Sequence, residues 1–281
     1  MKSLNLKNSL LASSAGILAV FLWSAIPALV KLGTTSQALS FVILLRFLIS
    51  SLLFTPLLPQ ILQNAKKISL KALLILAITL SANYYFQGLA MQSLPASWYI
   101  VIFSLNPLLA LAAIGVKLNR KILLAAFISI IGTFLFINAG GGWSAPISSI
   151  FYILIGMLTW VGYTMLVKKL QTQLSDLEVT GVTQILALFG TLIIWLGTGL
   201  PTAQLQTQDL TSIIILGFST PLAYFAFSYC MRRAPVFGIV SQYLEPIFGV
   251  IIGMMIFGES ISWFQAIGAA LIVWGTSRVS Y

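Results

Sequence analysis

The sequence has no histidine, one cysteine and two aspartates in 281 residues. Without His there is no imidazole acid/base step, no Ser-His dyad and no HExxH metal site. With Cys230 alone there is no internal disulfide and no multi-thiolate metal cluster. Asp176 and Asp209 are both expected in loops. An intramembrane aspartyl pair, which needs two buried carboxyls close together, is therefore excluded. Charge is scarce as well. Lys and Arg number 15 and Asp and Glu 5, so 7% of the chain is charged, against about 25% in soluble proteins. So few charges cannot solvate a soluble globule of this size. A soluble enzyme, a disordered chain and a nucleic-acid-binding domain are ruled out, despite a net charge of +10. No Walker GxxxxGK[ST] motif is present, so ATP is not bound in that way. No metal and no cofactor are expected.

What is abundant is apolar sequence, at 59% of residues. A membrane helix needs about 20 mainly apolar residues. On that basis ten spans are expected, at about 9–31, 37–58, 71–92, 96–117, 121–139, 147–167, 179–199, 210–231, 235–257 and 261–277. The fold class is thus an all-α integral membrane protein embedded in a lipid bilayer. The first apolar run is about 22 residues, longer than the roughly 7–15 of a signal peptide, and reads as a retained helix. Thirteen of the 15 positive residues fall in alternate junctions, from Lys2 and Lys7 to Arg278, and only Lys31 lies in the opposite loops. By the positive-inside rule both termini face the cytoplasm. The basicity is topological and needs no acidic partner. The short loops favour the inner membrane of a bacterium.

The halves of the chain resemble each other. Residues 83–121 lie on 222–260 without a gap at a shift of 139, placing Leu105-Asn106-Pro107 on Leu244-Glu245-Pro246. Trp23 lies on Trp160 at a shift of 137, and Gly132 on Gly268 at 136. Each half, 9–139 and 147–277, then holds five spans. An odd number forces the halves to cross in opposite directions, giving an inverted repeat with a substrate site expected near the midplane.

Phe21-Leu22-Trp23-Ser24 with Lys31, Leu45-Arg46-Phe47, the two Leu-x-Pro steps, Phe257-Gly258-Glu259 and Ile267-Gly268-Ala269-Ala270 occur in an order that resembles the drug/metabolite transporter superfamily. The resemblance is to its ten-helix members with paired EamA-type domains. It implies an exporter of metabolites or amino acids, although importers, exchangers and drug pumps share the superfamily. Leu118-Asn119-Arg120 replaces the acidic end usual in the first half, so that role is not carried over.

Two charges lie far inside spans, Arg46 and Glu245. Each costs about 2.5–3.5 kcal/mol at a helix centre and must face a cavity, water or a partner. Glu245 is expected to bind a cationic or amino group, or a proton that exchanges with substrate. The bland alternative is an Arg46–Glu245 ion pair locking the halves, and a pair that substrate competes for would be a gate. Pro27, Pro107 and Pro246 are candidate hinges or, equally, packing bends. Trp23, Tyr84, Tyr85, Trp160, Tyr163, Tyr224 and Tyr243 are midspan aromatics, more often packing than ligand contacts, yet suited to an amino group through cation–π contact. Asn83, Gln87, Asn106 and Gln242 add amides at similar depth. Gly249 and Gly253 form a GxxxG, read as packing within the chain ahead of a dimer seam. A monomer or a weak homodimer is expected.

The leading expectation is a secondary transporter of a small polar molecule, amino acids or related amines, driven by its gradient or by protons. An integral-membrane enzyme acting on lipid head groups and a non-transporting assembly subunit are the alternatives. The missing His and short loops count against the first. Embedded charges and a repeat count against the second.

Overall fold

The computed structural model describes residues 2–34, 36–93, 103, 106–117, 119–137, 146–202, 204–257 and 262–279. Every described element is helical. In chain order these are α1 (Lys2–Ser24), α2 (Ile26–Gly33), α3 (Leu39–Leu52), a 3-10 turn (Thr55–Leu57), α4 (Leu58–Ala65), α5 (Leu70–Ser93), α6 (Asn106–Ala113) and α7 (Arg120–Ile137). They continue with α8 (Ser148–Leu170), α9 (Asp176–Gly197), α10 (Thr207–Arg233), α11 (Pro235–Val240), a 3-10 turn (Ser241–Leu244), α12 (Glu245–Phe257) and α13 (Trp263–Val279). Most of the fourth expected span ahead of α6, the loop after the fifth, and the Gly258-Glu259 end of the ninth lie outside the described residues.

Among the described residues five helical stretches are long and apolar enough to cross a membrane: Leu10–Val30, Leu70–Gln92, Ser148–Leu170, Asp176–Gly197 and Thr207–Arg233. The segments on either side of Leu53 and Phe54 make a sixth if counted as one span bent by 54°. The surface is the inverse of a soluble protein's. Ile78, Phe127, Leu158 and Ile193 point outward, while Arg46, Asn83, Thr183 and Gln184 are buried. That distribution suits a chain whose solvent is lipid, with polar groups turned inward to one another.

Three expected spans are interrupted. The first breaks at Ala25, and Pro27 enters the opening turn of α2, where a missing N–H costs nothing. The second ends at Leu52, and Pro56 and Pro59 steer the chain into α4. The ninth is not continuous over 235–257. It tightens into the 3-10 turn Ser241–Leu244, and Glu245 and Pro246 open a new helix. The Glu245 N–H bonds the Gln242 carbonyl, so the oxygen that Pro246 cannot serve is taken by the tighter turn. Asp176 and Asp209 also differ from expectation. They sit in the first turns of α9 and α10, where carboxylates complement the helix dipole, and both are buried.

A further proline, Pro221, lies inside α10. It removes the donor that would reach the Gly217 carbonyl, and Ser50 Oγ of α3 donates to that oxygen instead at 2.8 Å. At the same crossing a Cβ on Gly217 would stand 2.5 Å from Ile49 Cγ2, so only Gly lets α3 approach. A proline defect in one helix is therefore repaired by a hydroxyl from another.

Among the contacts between helices are α5 with α8 and α1 with α10, α5 with α9 and α3 with α10, α6 with α8 and α1 with α12, together with α3 with α9 and α7 with α13. Exchanging the two halves turns these pairs into one another. Polar contacts tie the halves at both ends. At one end Gln60 and Asn64 of α4 donate to Glu178 Oε1 at 3.0 and 2.5 Å, while Arg232 and Arg233 pair with Asp176 within the second half at 2.7 and 2.9 Å. At the other the Ser36 hydroxyl donates to Asp209, Gln37 Nε2 to the Gln204 carbonyl at 3.1 Å, and Ser40 and Thr198 share a 2.9 Å bond.

Candidate functional site

A small, partly open cavity of about 40 Å³ lies where these helices meet. Helices α1 and α2 contribute Trp23, Ile26 and Pro27; α5 contributes Asn83, Tyr84, Gln87 and Met91. Phe103, Trp160 of α8, Gln242 of the 3-10 turn and Glu245 of α12 complete the wall. Both halves thus line one space. The break at Ala25 and the turn at 241–244 each deliver wall residues, which a straight helix would present at a different angle.

Glu245 is half-buried, and among the described residues its carboxylate has no hydrogen-bond or ion-pair partner. A carboxylate cannot rest unpaired in a dry interior. Water, a proton or a cation must meet it in the cavity. The aromatic wall suits a cation. Trp23 and Trp160 meet edge to face at 5.0 Å between ring centroids. Behind them Tyr163 lies 5.2 Å from Trp160, and Phe227 lies 5.0 Å from Trp23. Trp160 Nε1 donates to Gln242 Oε1 at 3.0 Å, a bond within the second half. Asn83 Nδ2 donates to the Gly156 carbonyl at 2.8 Å.

The expected Arg46–Glu245 contact is not formed. Arg46 is 1% exposed. Its Nε donates to Thr220 Oγ1 at 2.6 Å and its Nη2 approaches the Tyr84 hydroxyl at 3.4 Å, with the guanidinium 4.3 Å from the Tyr84 ring centre. The register of α3 aims Arg46 at α10 instead, because Ser50 and Ile49 dock on that helix one turn away. Tyr84 stands between, in the wall on one side and against Arg46 on the other, and donates to the Tyr224 hydroxyl at 2.8 Å.

Of the residues expected at the site, Glu245, Trp23, Asn83, Trp160, Gln242 and Pro27 line the cavity. Tyr163, Tyr224 and Tyr243 are buried behind it, and Asn106 is buried away from it. Tyr85 lies outside the wall, edge to face with Phe86 at 5.8 Å. Pro107 and Pro246 are each the second residue of a helical segment, α6 and α12, and Pro107 is not part of the wall. Ile26 and Met91 were not singled out. The spacing of Asn83, Gln87 and Met91, four residues apart, was the readable sign of one face of α5. Among the described residues a Cβ on Gly249 would meet nothing within 4 Å, so they form no tight seam at that glycine.

The EamA-like transporter family model matches the chain twice, over residues 10–138 and 147–281. A solved structure, titled only as a crystal structure of a protein, aligns with a TM-score of 0.75 at 18% identity, covering 95% of this chain and 95% of that one. At that identity it speaks for the fold alone. A search of curated proteins finds no match. With two matches spanning nearly its full length and apolar helices long enough to cross a bilayer, the chain is a multi-pass membrane protein that belongs to the EamA-like transporter family of the drug/metabolite transporter superfamily.

Proposed function

We propose that this chain is a secondary transporter of small polar metabolites bearing an amino or other cationic group, with amino acids and related amines as the class. The observation that carries the reading is the unpartnered Glu245 carboxylate in an aromatic-walled cavity to which both halves contribute. In this reading the segments make ten spans: α1–α2, α3–α4, α5, the span ending in α6, α7, α8, α9, α10, α11–α12 and α13. They form two inverted five-helix repeats, 9–139 and 147–277, that rock about the cavity. The helix pairs that exchange of the halves turns into one another support this arrangement. The distribution of Lys and Arg supports termini on the cytoplasmic side of an inner membrane. Export is the direction proposed, from the resemblance to the family.

Arg46 belongs to this function more than to stability. If it is removed, the Tyr84 hydroxyl still donates to Tyr224, and Thr220 still donates to the Leu216 carbonyl at 2.5 Å. No new orphan is created, and the unpartnered Arg46 Nη1 disappears. Burying a charge without a counter-ion is costly, and apolar replacements at such sites are often neutral or stabilising. Arg46→Met is therefore expected to keep or raise the unfolding temperature while flux falls about tenfold or more. A drop in unfolding temperature in step with flux would assign Arg46 to packing.

The test of the function is flux in proteoliposomes, using a panel of labelled amino acids and amines with and without a pH gradient. Counterflow of at least one such compound above protein-free vesicles is expected. A panel that moves no faster than in empty vesicles overturns the proposal.

A further inference from the structure

Two indole N–H groups belong to the cavity wall, and they differ in how they are served. Trp160 Nε1 donates to Gln242 Oε1. Trp23 Nε1 is buried with no partner among the described residues. Trp23 and Trp160 correspond in the repeat at a shift of 137, and Phe103 and Gln242 at 139. The acceptor that Gln242 gives Trp160 would be given to Trp23 by residue 103. That residue is Phe, which has no acceptor. The symmetric bond exists once, and its absence in the other half leaves an indole donor open. Gln242 supplies a second open donor. Its Oε1 is taken by Trp160, and its Nε2 has no partner among the described residues. Both residues are 7% exposed, and both line the cavity. Buried donors without acceptors are costly and uncommon, so two in one wall call for an explanation.

The same wall holds Glu245, an acceptor without a donor. Arg46, a buried cation without a carboxylate, stands behind Tyr84. The charges of Arg46 and Glu245 balance, so a molecule with no net charge can enter without adding charge to the membrane interior. We infer that Trp23 Nε1 and Gln242 Nε2 receive a carboxylate of the cargo while Glu245 receives its ammonium, so that the site selects amino-carboxylates over the corresponding simple amines. The inference rests on the proposed role of Glu245 as a cation site. It makes Trp23 and Gln242 the residues that determine specificity.

Two probe pairs test it by calorimetric binding to purified full-length protein: leucine with isoamylamine, and phenylalanine with 2-phenylethylamine. In each pair the carboxylate is the difference. The wild type is expected to bind at least one amino acid about tenfold or more tightly than its amine, the scale of a charge-assisted hydrogen bond. Gln242→Glu keeps an oxygen for Trp160 and replaces the open donor by a second acceptor. It is expected to weaken the amino acid about tenfold or more and leave the amine unchanged or tighter. Trp23→Phe removes the indole donor and is expected to weaken the amino acid alone. Equal wild-type affinity within each pair overturns the inference, as does Gln242→Glu weakening acid and amine by one factor. Should Trp23→Phe fail to fold, the wild-type ratio and Gln242→Glu still decide. If amines bind but are not weakened by Glu245→Gln, or no probe binds, the cation site itself fails and the inference falls with it.

Discussion

Glu245→Gln is expected to lower cargo flux in proteoliposomes about 10- to 100-fold while the protein remains folded. The substitution preserves shape and removes only charge. A hydrogen bond to a charged group contributes about 1.5–3 kcal/mol, which corresponds to that range. No partner in the described structure loses its bond, because the carboxylate has none there. An unpaired half-buried charge disfavours the folded state, so its loss is not expected to lower the unfolding temperature. Flux and thermal unfolding measured on one preparation separate this outcome from misfolding. Full flux in Glu245→Gln, with an unchanged response to a pH gradient, would remove Glu245 from the mechanism.

Gly132→Ala is expected to have the largest effect on stability. Helices α7 and α13 lie in close contact, and a Cβ at position 132 would stand 2.7 Å from the Gly268 carbonyl oxygen and 2.9 Å from Leu271 Cβ. The first obstacle is backbone, which cannot rotate aside. The same seam is pinched again at Gly275, where a Cβ would meet the Ala125 carbonyl oxygen at 2.7 Å. Overpacking of this kind costs about 1–3 kcal/mol. Gly249→Ala is the control, since its added methyl meets nothing within 4 Å among the described residues, and its effect is expected within about 0.5 kcal/mol. Thermal unfolding in detergent of the two variants, side by side, tests both. Equal unfolding temperatures would contradict the close approach of α7 and α13.

The sequence foretold these features unevenly, for physical reasons. The long helices, the embedded Glu245 and the wall residues Trp23, Asn83, Trp160 and Gln242 were legible, because an apolar run makes every polar interruption conspicuous. The face that each helix turns inward was less so. In a membrane helix both faces are apolar, and the 3.6-residue pattern that orients a soluble helix is muted. Tyr84 and Tyr85 are adjacent, hence about 100° apart around α5. Both were midspan candidates, yet packing puts Tyr84 in the wall and Tyr85 outside it. Arg46 and Glu245 were natural partners as two embedded opposite charges, but α3 docks on α10 and carries Arg46 to Thr220. The turn at 241–244 was half legible. Pro246 announced a disturbance, but not that the helix would tighten into 3-10 just ahead of Glu245. Pro221 was passed over because its cost is met by Ser50 on another helix, a repair no local window reveals.

The central claim is that carboxylate 245 meets its cargo in an accessible cavity between the two halves. The most direct measurement places a thiol there. The native thiol, Cys230, is buried and is first replaced by Ser. Glu245→Cys in that background is then exposed to a small cationic thiol reagent in sealed vesicles, with and without a transported amine or amino acid from the flux panel. The account predicts labelling that slows when cargo is present. Failure to label from either side of the membrane, with the protein folded, would contradict it.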